Sequence, residues 1–303
     1  MIQRFDKIGA KLPRPNHPSA NGAAALQELL GGKFGEMSTI MNYTFQSFNF
    51  RGRNEFRPFY DLIANIAAEE FGHIEVISYA INMLLTGTTT RGTNPDSGPL
   101  SSELDARNSY HFLTSGQQAL PMDSQGNFWT GQNVFSSGNL KLDLLHNFFL
   151  ECGARANKMR VYEMVDDPCA RAAVGYLLVR GGVHVVAYAK ALEKLTGVEV
   201  GKLLPIPDLS NKKFDEAKKL EDEGSHLILY RFSPSDYSRI GEIWNGAHPE
   251  DGKELRVEQG PPEGFDPPDL DAEPQLVAPA GPDIDPQMFA DTAKKLFGIK
   301  VGF

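Results

Sequence analysis

The 303-residue chain is 41% apolar and 23% charged, close to an ordinary globular composition, and it is long enough to bury a sizeable core. Its net charge of −9 argues against binding nucleic acid, because no basic surplus exists to neutralise a phosphate backbone. Two cysteines, Cys152 and Cys169, do not make a disulfide scaffold, and they read as inert thiols. No apolar signal core opens the chain and no apolar run approaches the ~20 residues of a membrane span. The expectation is a cytoplasmic protein with no membrane association.

In chain order, residues 1–19 read as an extended lead-in, since Pro13, Pro15 and Pro18 block regular helix. Residues 20–195 follow the helical period. The spacing predicts a first helix over about 23–49, with Leu30, Phe34, Met37, Met41 and Phe48 three or four apart. A second covers about 54–85, with Phe59, Ile63, Ile66, Ile77, Ile81 and Leu84 on one face. A third covers about 139–165. A fourth starts at Pro168, capped by Asp166 or Asp167, and stops before Gly197. The short first and third connections imply two antiparallel pairs. The connection over 87–138 is too long for a structureless loop, so it should carry short elements and cap one end of the bundle. Two pairs joined by one long crossover predict an all-α, ferritin-like four-helix bundle. From about 196 to 303 the composition turns to charge, Gly and Pro, with nine prolines from Pro249 to Pro286. That stretch reads as a disordered tail or as an extended arm lying on a neighbouring surface.

Each predicted helix places a metal-ligand side chain on its apolar face. These are Glu36 on the first, Glu70 and His73 on the second, Glu151 on the third and His184 on the fourth. Any one alone is ordinary. Three carboxylates and two imidazoles gathered in one bundle are not, because buried unpaired carboxylates cost several kcal/mol each. Two divalent ions bring +4 against −3, and a bridging hydroxide or oxide balances the rest. Carboxylate and imidazole donors suit manganese or iron. Glu69 also faces His73 at i,i+4, but Glu70 sits at the centre of the apolar face. Glu70 is therefore the expected ligand, with Glu69 behind it.

The words LLGGKFGEMSTIMNY (29–43), AAEEFGHIEVIS (67–78), SSGNL (136–140), ECGAR (151–155) and YLLVRGGVH (176–184) resemble the manganese catalases. The resemblance implies a di-manganese site that disproportionates hydrogen peroxide to water and dioxygen. It implies a homohexamer, with 196–303 wrapping neighbouring subunits. It puts Glu36, Glu70, His73, Glu151 and His184 on the five ligand positions, with Glu70 bridging, Glu36 and His73 completing one metal and Glu151 and His184 the other. Tyr43 falls on a tyrosine position that hydrogen-bonds a ligand carboxylate, and Arg155 lies next to the ligands. Many relatives carry an acid–base Glu where this chain has Gly181, paired with an Arg where it has Leu150. Losing both together strands no charge. Gly181 would leave room for water, and solvent bridging the metals would take the proton from peroxide. A calcium site occurs in some relatives; Asp61 and Ser233 fall on its positions, and Asn65 stands where another acid is expected. Two other readings stay open: a non-catalytic metal-binding or coat protein on the same fold, and a di-iron oxidase.

Overall fold

The structure, a computed structural model, describes residues 6–86, 118–204, 209–270 and 286–298. It divides into two compact units, 1–269 and 270–303. The first holds the ferritin-like helical fold. Its helices are α1 (Ala20–Gly31), α2 (Glu36–Phe48), α3 (Arg57–Leu85), α4 (Leu140–Met164), α5 (Pro168–Thr196) and the short α6 (Asp215–Asp222). A parallel pair, β1 (Ile228–Arg231) and β2 (Arg256–Gln259), pairs Ile228 with Arg256.

Helix ends follow local chemistry. The Asp167 carboxylate accepts from the N–H groups of Cys169 and Ala170, Pro168 opens α5, and Gly197 closes it in the left-handed region at φ 72°. The Asn139 side chain caps α4 by accepting from Leu142 N. The predicted first helix is, however, two helices. The chain breaks at 32–35, and Gly35 is the N-cap of α2. A side chain at Gly35 would collide with the Leu29 and Leu30 carbonyl oxygens at 2.8 and 2.7 Å. The break puts Glu36 in the first turn of α2, where the free N–H groups and the helix dipole favour a carboxylate.

Helices α1 and α2 pack on α3, α4 packs on α5, and α3 meets α5 across the centre. Among the described residues α5 is a helix long and apolar enough to cross a membrane, a run that the sequence reading did not flag. Yet 89% of its apolar window is buried within the protein, as expected of a helix apolar all round that forms the centre of a bundle. Of the predicted crossover, 87–117 lies outside the described residues. The remainder carries a 3-10 turn (Gly131–Asn133) and lies along α1 and α2, where Gln27 donates to Met122 O and Asn42 to Asn133 O.

The segment after α5 is more than an extended arm. Trp244, buried with Leu229, Ile240, Ile243 and Leu255, belongs to the same apolar cluster as Val186 and Leu192 of α5. The Pro-rich stretch up to 269 lies on its own chain: Phe265 pairs with Ile8 through two backbone hydrogen bonds of 2.9 Å, and Tyr79 donates to Pro268 O. The second unit contains a further helix, α7 (Pro286–Phe297), where composition alone predicts extended chain or disorder.

Candidate metal centre

Five side chains from α2, α3, α4 and α5 meet at the centre of the bundle, all of them buried. Two sets of three donors form. Glu36, Glu70 and His73 make one; Glu70, Glu151 and His184 make the other. Glu70 is common to both, and its two oxygens divide between them. Oε2 lies 3.0 Å from His73 Nδ1, and Oε1 lies 2.7 Å from His184 Nδ1. Glu36 Oε2 stands 3.4 Å from His73 Nδ1, and Glu151 Oε1 stands 3.5 Å from His184 Nδ1. The two imidazoles stack at 5.3 Å.

Apart from the hydrogen bond between His73 Nδ1 and Glu70 Oε2, these contacts are close but poorly directed. Glu70 Oε1, Glu151 Oε2, His73 Nε2 and both nitrogens of His184 are buried without a hydrogen bond. Native interiors rarely leave so many polar atoms unsatisfied in one place. Converging donors that do not aim at each other fit ions held between them, and carboxylate plus imidazole is a donor set for manganese or iron.

Comparison with known proteins decides the family. The family described as manganese containing catalase matches residues 1–296. The chain is 34% identical to a manganese catalase of Bacillus subtilis over 194 residues, 63% of this chain and 70% of that one. It is 28% identical to a manganese catalase of Lactiplantibacillus plantarum over 249 residues, 82% and 88% of the two chains. The crystal structure of KatB, a manganese catalase from Anabaena, superposes with a TM-score of 0.54 at 23% identity, covering 86% of this chain and all of that one. The chain belongs to the manganese catalase family.

Around the five residues stand named neighbours. Tyr43 donates to Glu151 Oε1 at 2.6 Å. Burial and the Glu151 charge hold its phenol well above the usual range, so it stays a donor. Thr39 donates to Glu70 Oε2 at 3.0 Å. Glu69 stands behind the imidazoles, with Oε2 3.2 Å from His184 Nε2 and Oε1 3.8 Å from His73 Nε2. Arg180 Nε donates to Glu69 Oε1 at 2.6 Å. Burial works against the Glu69 charge, but Arg180 and His184 outweigh it and hold the carboxyl well below its usual range.

Two site residues escaped the sequence reading. Lys158 is buried, with Nζ 2.9 Å from Glu36 Oε1. It lies seven residues after Glu151, hence on the same helix face, and that spacing was the available signal. Burial opposes its charge, but Glu36, Glu151 and Glu70 raise its pKa. Arg180, one residue before Gly181, is the second. Gly181 itself does not open space for water. A Cβ there would lie 3.0 Å from Lys158 Nζ, so the ammonium occupies that place. Leu150 is a buried member of the apolar cluster. Arg155, expected beside the ligands, sends its guanidinium to the carbonyls of Leu178 and Ser210 and to Asn211 Oδ1.

The positions weighed for calcium are otherwise engaged. Asp61 Oδ1 meets Arg57 Nε at 2.8 Å, and its Oδ2 accepts from Arg239 N. Asn65 bridges Tyr230 O and Phe232 N, and Ser233 donates to Asp236. Both cysteines are free, and burial pushes each thiol up to about 12.

Replacing Tyr43 by Phe removes the one hydroxyl bonded to Glu151 while keeping the ring. Outer hydrogen bonds of this kind are worth roughly 10–100-fold in metal affinity. The expected result is a loss in that range on manganese titration, with an unchanged circular dichroism spectrum.

Proposed function

We propose that this chain disproportionates hydrogen peroxide to water and dioxygen at a pair of manganese ions. Glu36 and His73 hold one ion, Glu151 and His184 the other, and Glu70 bridges. The observation that carries this reading is the division of the two Glu70 oxygens between two imidazole nitrogens. When bound, the ion pair supplies a two-electron redox couple and Lewis acidity toward oxygen.

The protein supplies orientation and charge. Glu69, backed by Arg180, faces the Nε2 edges of both imidazoles and leaves their Nδ1 atoms to the cluster. Thr39 and Tyr43 fix the rotamers of Glu70 and Glu151. Lys158 keeps its proton, so it acts as a charged hydrogen-bond donor and not as the base. Tyr43 keeps its proton as well. We assign the proton released by peroxide to solvent within the cluster. We also propose cytoplasmic location, homohexameric assembly and, for residues 270–303, a reach toward neighbouring subunits; exposed Phe48 and Phe149 on α2 and α4 supply apolar surface for such contacts. Calcium is left out of this reading, because Asp61 is ion-paired with Arg57 and bonded to Arg239 N and Asn65 is bonded to backbone groups.

The test is dioxygen release from hydrogen peroxide by manganese-loaded protein in an oxygen electrode, with no reductant present. Vigorous release is expected. A di-iron oxidase needs a reductant or mineralises iron, and a coat protein does neither. Failure by protein that holds two manganese ions per chain overturns the catalase reading.

Loading should also be read by protons. In the metal-free protein, burial opposes charge on His73, but Glu70 and Glu36 outweigh it and push its pKa up to about 9. His184 is raised too, by Glu70 and Glu69 against burial. Metal requires neutral imidazole, so binding at pH 7 is expected to release about two protons per chain. Affinity then climbs from pH 6.5 toward 9. The stability that His73 contributes to the metal-free fold runs oppositely: it is full below about 6.5 and lost as pH rises through about 9. Calorimetric titration in buffers of different ionisation enthalpy measures the proton count, and a count of zero contradicts the assignment of His73 and His184.

A further inference from the structure

A second set of metal-type side chains lies outside the helical bundle. His226 sits in a one-turn 3-10 helix, Ser225–Leu227, entered through Gly224 in the left-handed region at φ 81°. His248 and Asp251 sit three apart in a tight loop. Backbone bonds close that loop, His248 N to Lys253 O at 2.7 Å and Gly252 N to His248 O at 2.9 Å. Both histidines are more than nine-tenths buried, and Asp251 opens to solvent. One donor atom from each of the three residues falls within 4.8 Å of the others.

The three donors lie close enough to share one ion, the His248–Asp251 separation at the spacing of tetrahedral donors and the His226–Asp251 separation shorter, at hydrogen-bond distance. Bonds of about 2.0–2.2 Å to nitrogen and oxygen put neighbouring donors about 3.3–3.6 Å apart. His226 Nε2 is 3.0 Å from Asp251 Oδ2, and His248 Nδ1 is 3.5 Å from Asp251 Oδ1. The Glu250 N–H reaches His248 Nδ1 only at 3.3 Å, long for a hydrogen bond, so that lone pair is weakly committed. His226 Nδ1 is buried without a partner. Lys253 Nζ approaches Asp251 at 3.4 Å from a side chain 60% exposed, and it can swing into water when a cation arrives.

We propose that His226, His248 and Asp251 form a third metal site, for a single divalent ion of zinc type, with solvent in the fourth position. Two imidazoles and one carboxylate form the donor set of borderline ions rather than calcium or magnesium. The ion joins the turn before β1 to the loop before β2. It is chemically independent of the bundle centre, since it shares no residue with it.

The experiment titrates zinc into protein already loaded with manganese and counts both metals per chain. The expected result is one zinc per chain with manganese unchanged. X-ray absorption at the zinc edge should show two imidazoles among four light donors. Asp251→Asn keeps size and shape, and its amide oxygen can still accept the Lys253 N–H, so it tests the site while preserving the loop; His248→Ala tests the buried ligand. Each should weaken zinc binding by more than the roughly 10–100-fold that outer-shell changes cost. Three results overturn the proposal: no zinc beyond the manganese, zinc gained only as manganese is lost, or equal zinc binding in the wild type and both variants.

Discussion

Glu70→Ala is expected to lower dioxygen release from peroxide at least about 10³-fold, at the upper end of what loss of one preorganised group costs. Metal content should fall in step. Each of the other four residues touches one half of the cluster, whereas Glu70 alone belongs to both donor sets. Its removal therefore leaves Glu36 with His73 and Glu151 with His184 as two-donor remnants. A divalent ion with two protein donors is held no better than at a chance surface pair. Glu70→Gln is the companion variant. Its amide oxygen can still accept the Thr39 hydroxyl, so the fold is retained while the bridging charge is lost. Oxygen-electrode rates and manganese content of both variants decide the matter. Turnover by either variant with two ions bound would sink the bridging role.

The bundle and the meeting of its five carboxylate and imidazole side chains were legible because buried polar residues on apolar helix faces leave a periodic signature. Glu70 and His73 three apart, and Glu36, Glu151 and His184 each on an apolar stripe, can be read without coordinates. Charges that compensate the donors are harder to read. Lys158 and Arg180 look like any exposed basic residue on an amphipathic helix until packing shows them buried against Glu36 and Glu69. The same holds for Gly181: its lack of a side chain suggests space, and only the neighbouring helix reveals that an ammonium fills it. The break at 32–35 was misread for a different reason. Apolar residues keep the helical period across it, and each of Gly31, Gly32 and Gly35 taken singly is compatible with a continuous helix at a cost of about 1 kcal/mol. The carbonyl collisions that forbid a side chain at Gly35 are properties of the fold. Likewise, Pro-rich composition reports an inability to form helix or sheet, not an inability to pack. Residues up to 269 pack through Trp244, Leu255 and the Phe265 bridge.

Arg180→Leu is expected to destabilise the metal-free protein by about 3–5 kcal/mol, the range for removing one partner of a buried ion pair. Three acceptors lose their donor at once. Nε of Arg180 serves Glu69, and NH1 serves Ser225 O at 2.8 Å and Ile228 O at 2.9 Å. The guanidinium also lies over the Tyr230 ring, 4.9 Å from its centre. It thereby ties β1 and the turn before it to the carboxylate that stands behind both imidazoles. A loss of that size lowers the melting temperature by roughly 5–8 °C in a chain of this length, whose unfolding entropy is about 2.1 cal/mol/K per residue. Arg180→Lys keeps one charge but cannot reach three acceptors with a planar fork, so partial recovery is expected. The pH dependence separates a lost ion pair from lost packing. Glu69 has a folded pKa held below its unfolded value of 4.5, so its contribution is present above about 4.5 and fades as pH falls through the folded value. The gap between wild type and Arg180→Leu should therefore narrow in acid, because unfolded wild type takes up a proton on Glu69 that its folded state refuses. A gap that stays constant from pH 7 down to 3 would assign the effect of Arg180 to packing and backbone bonds instead of to the charge on Glu69.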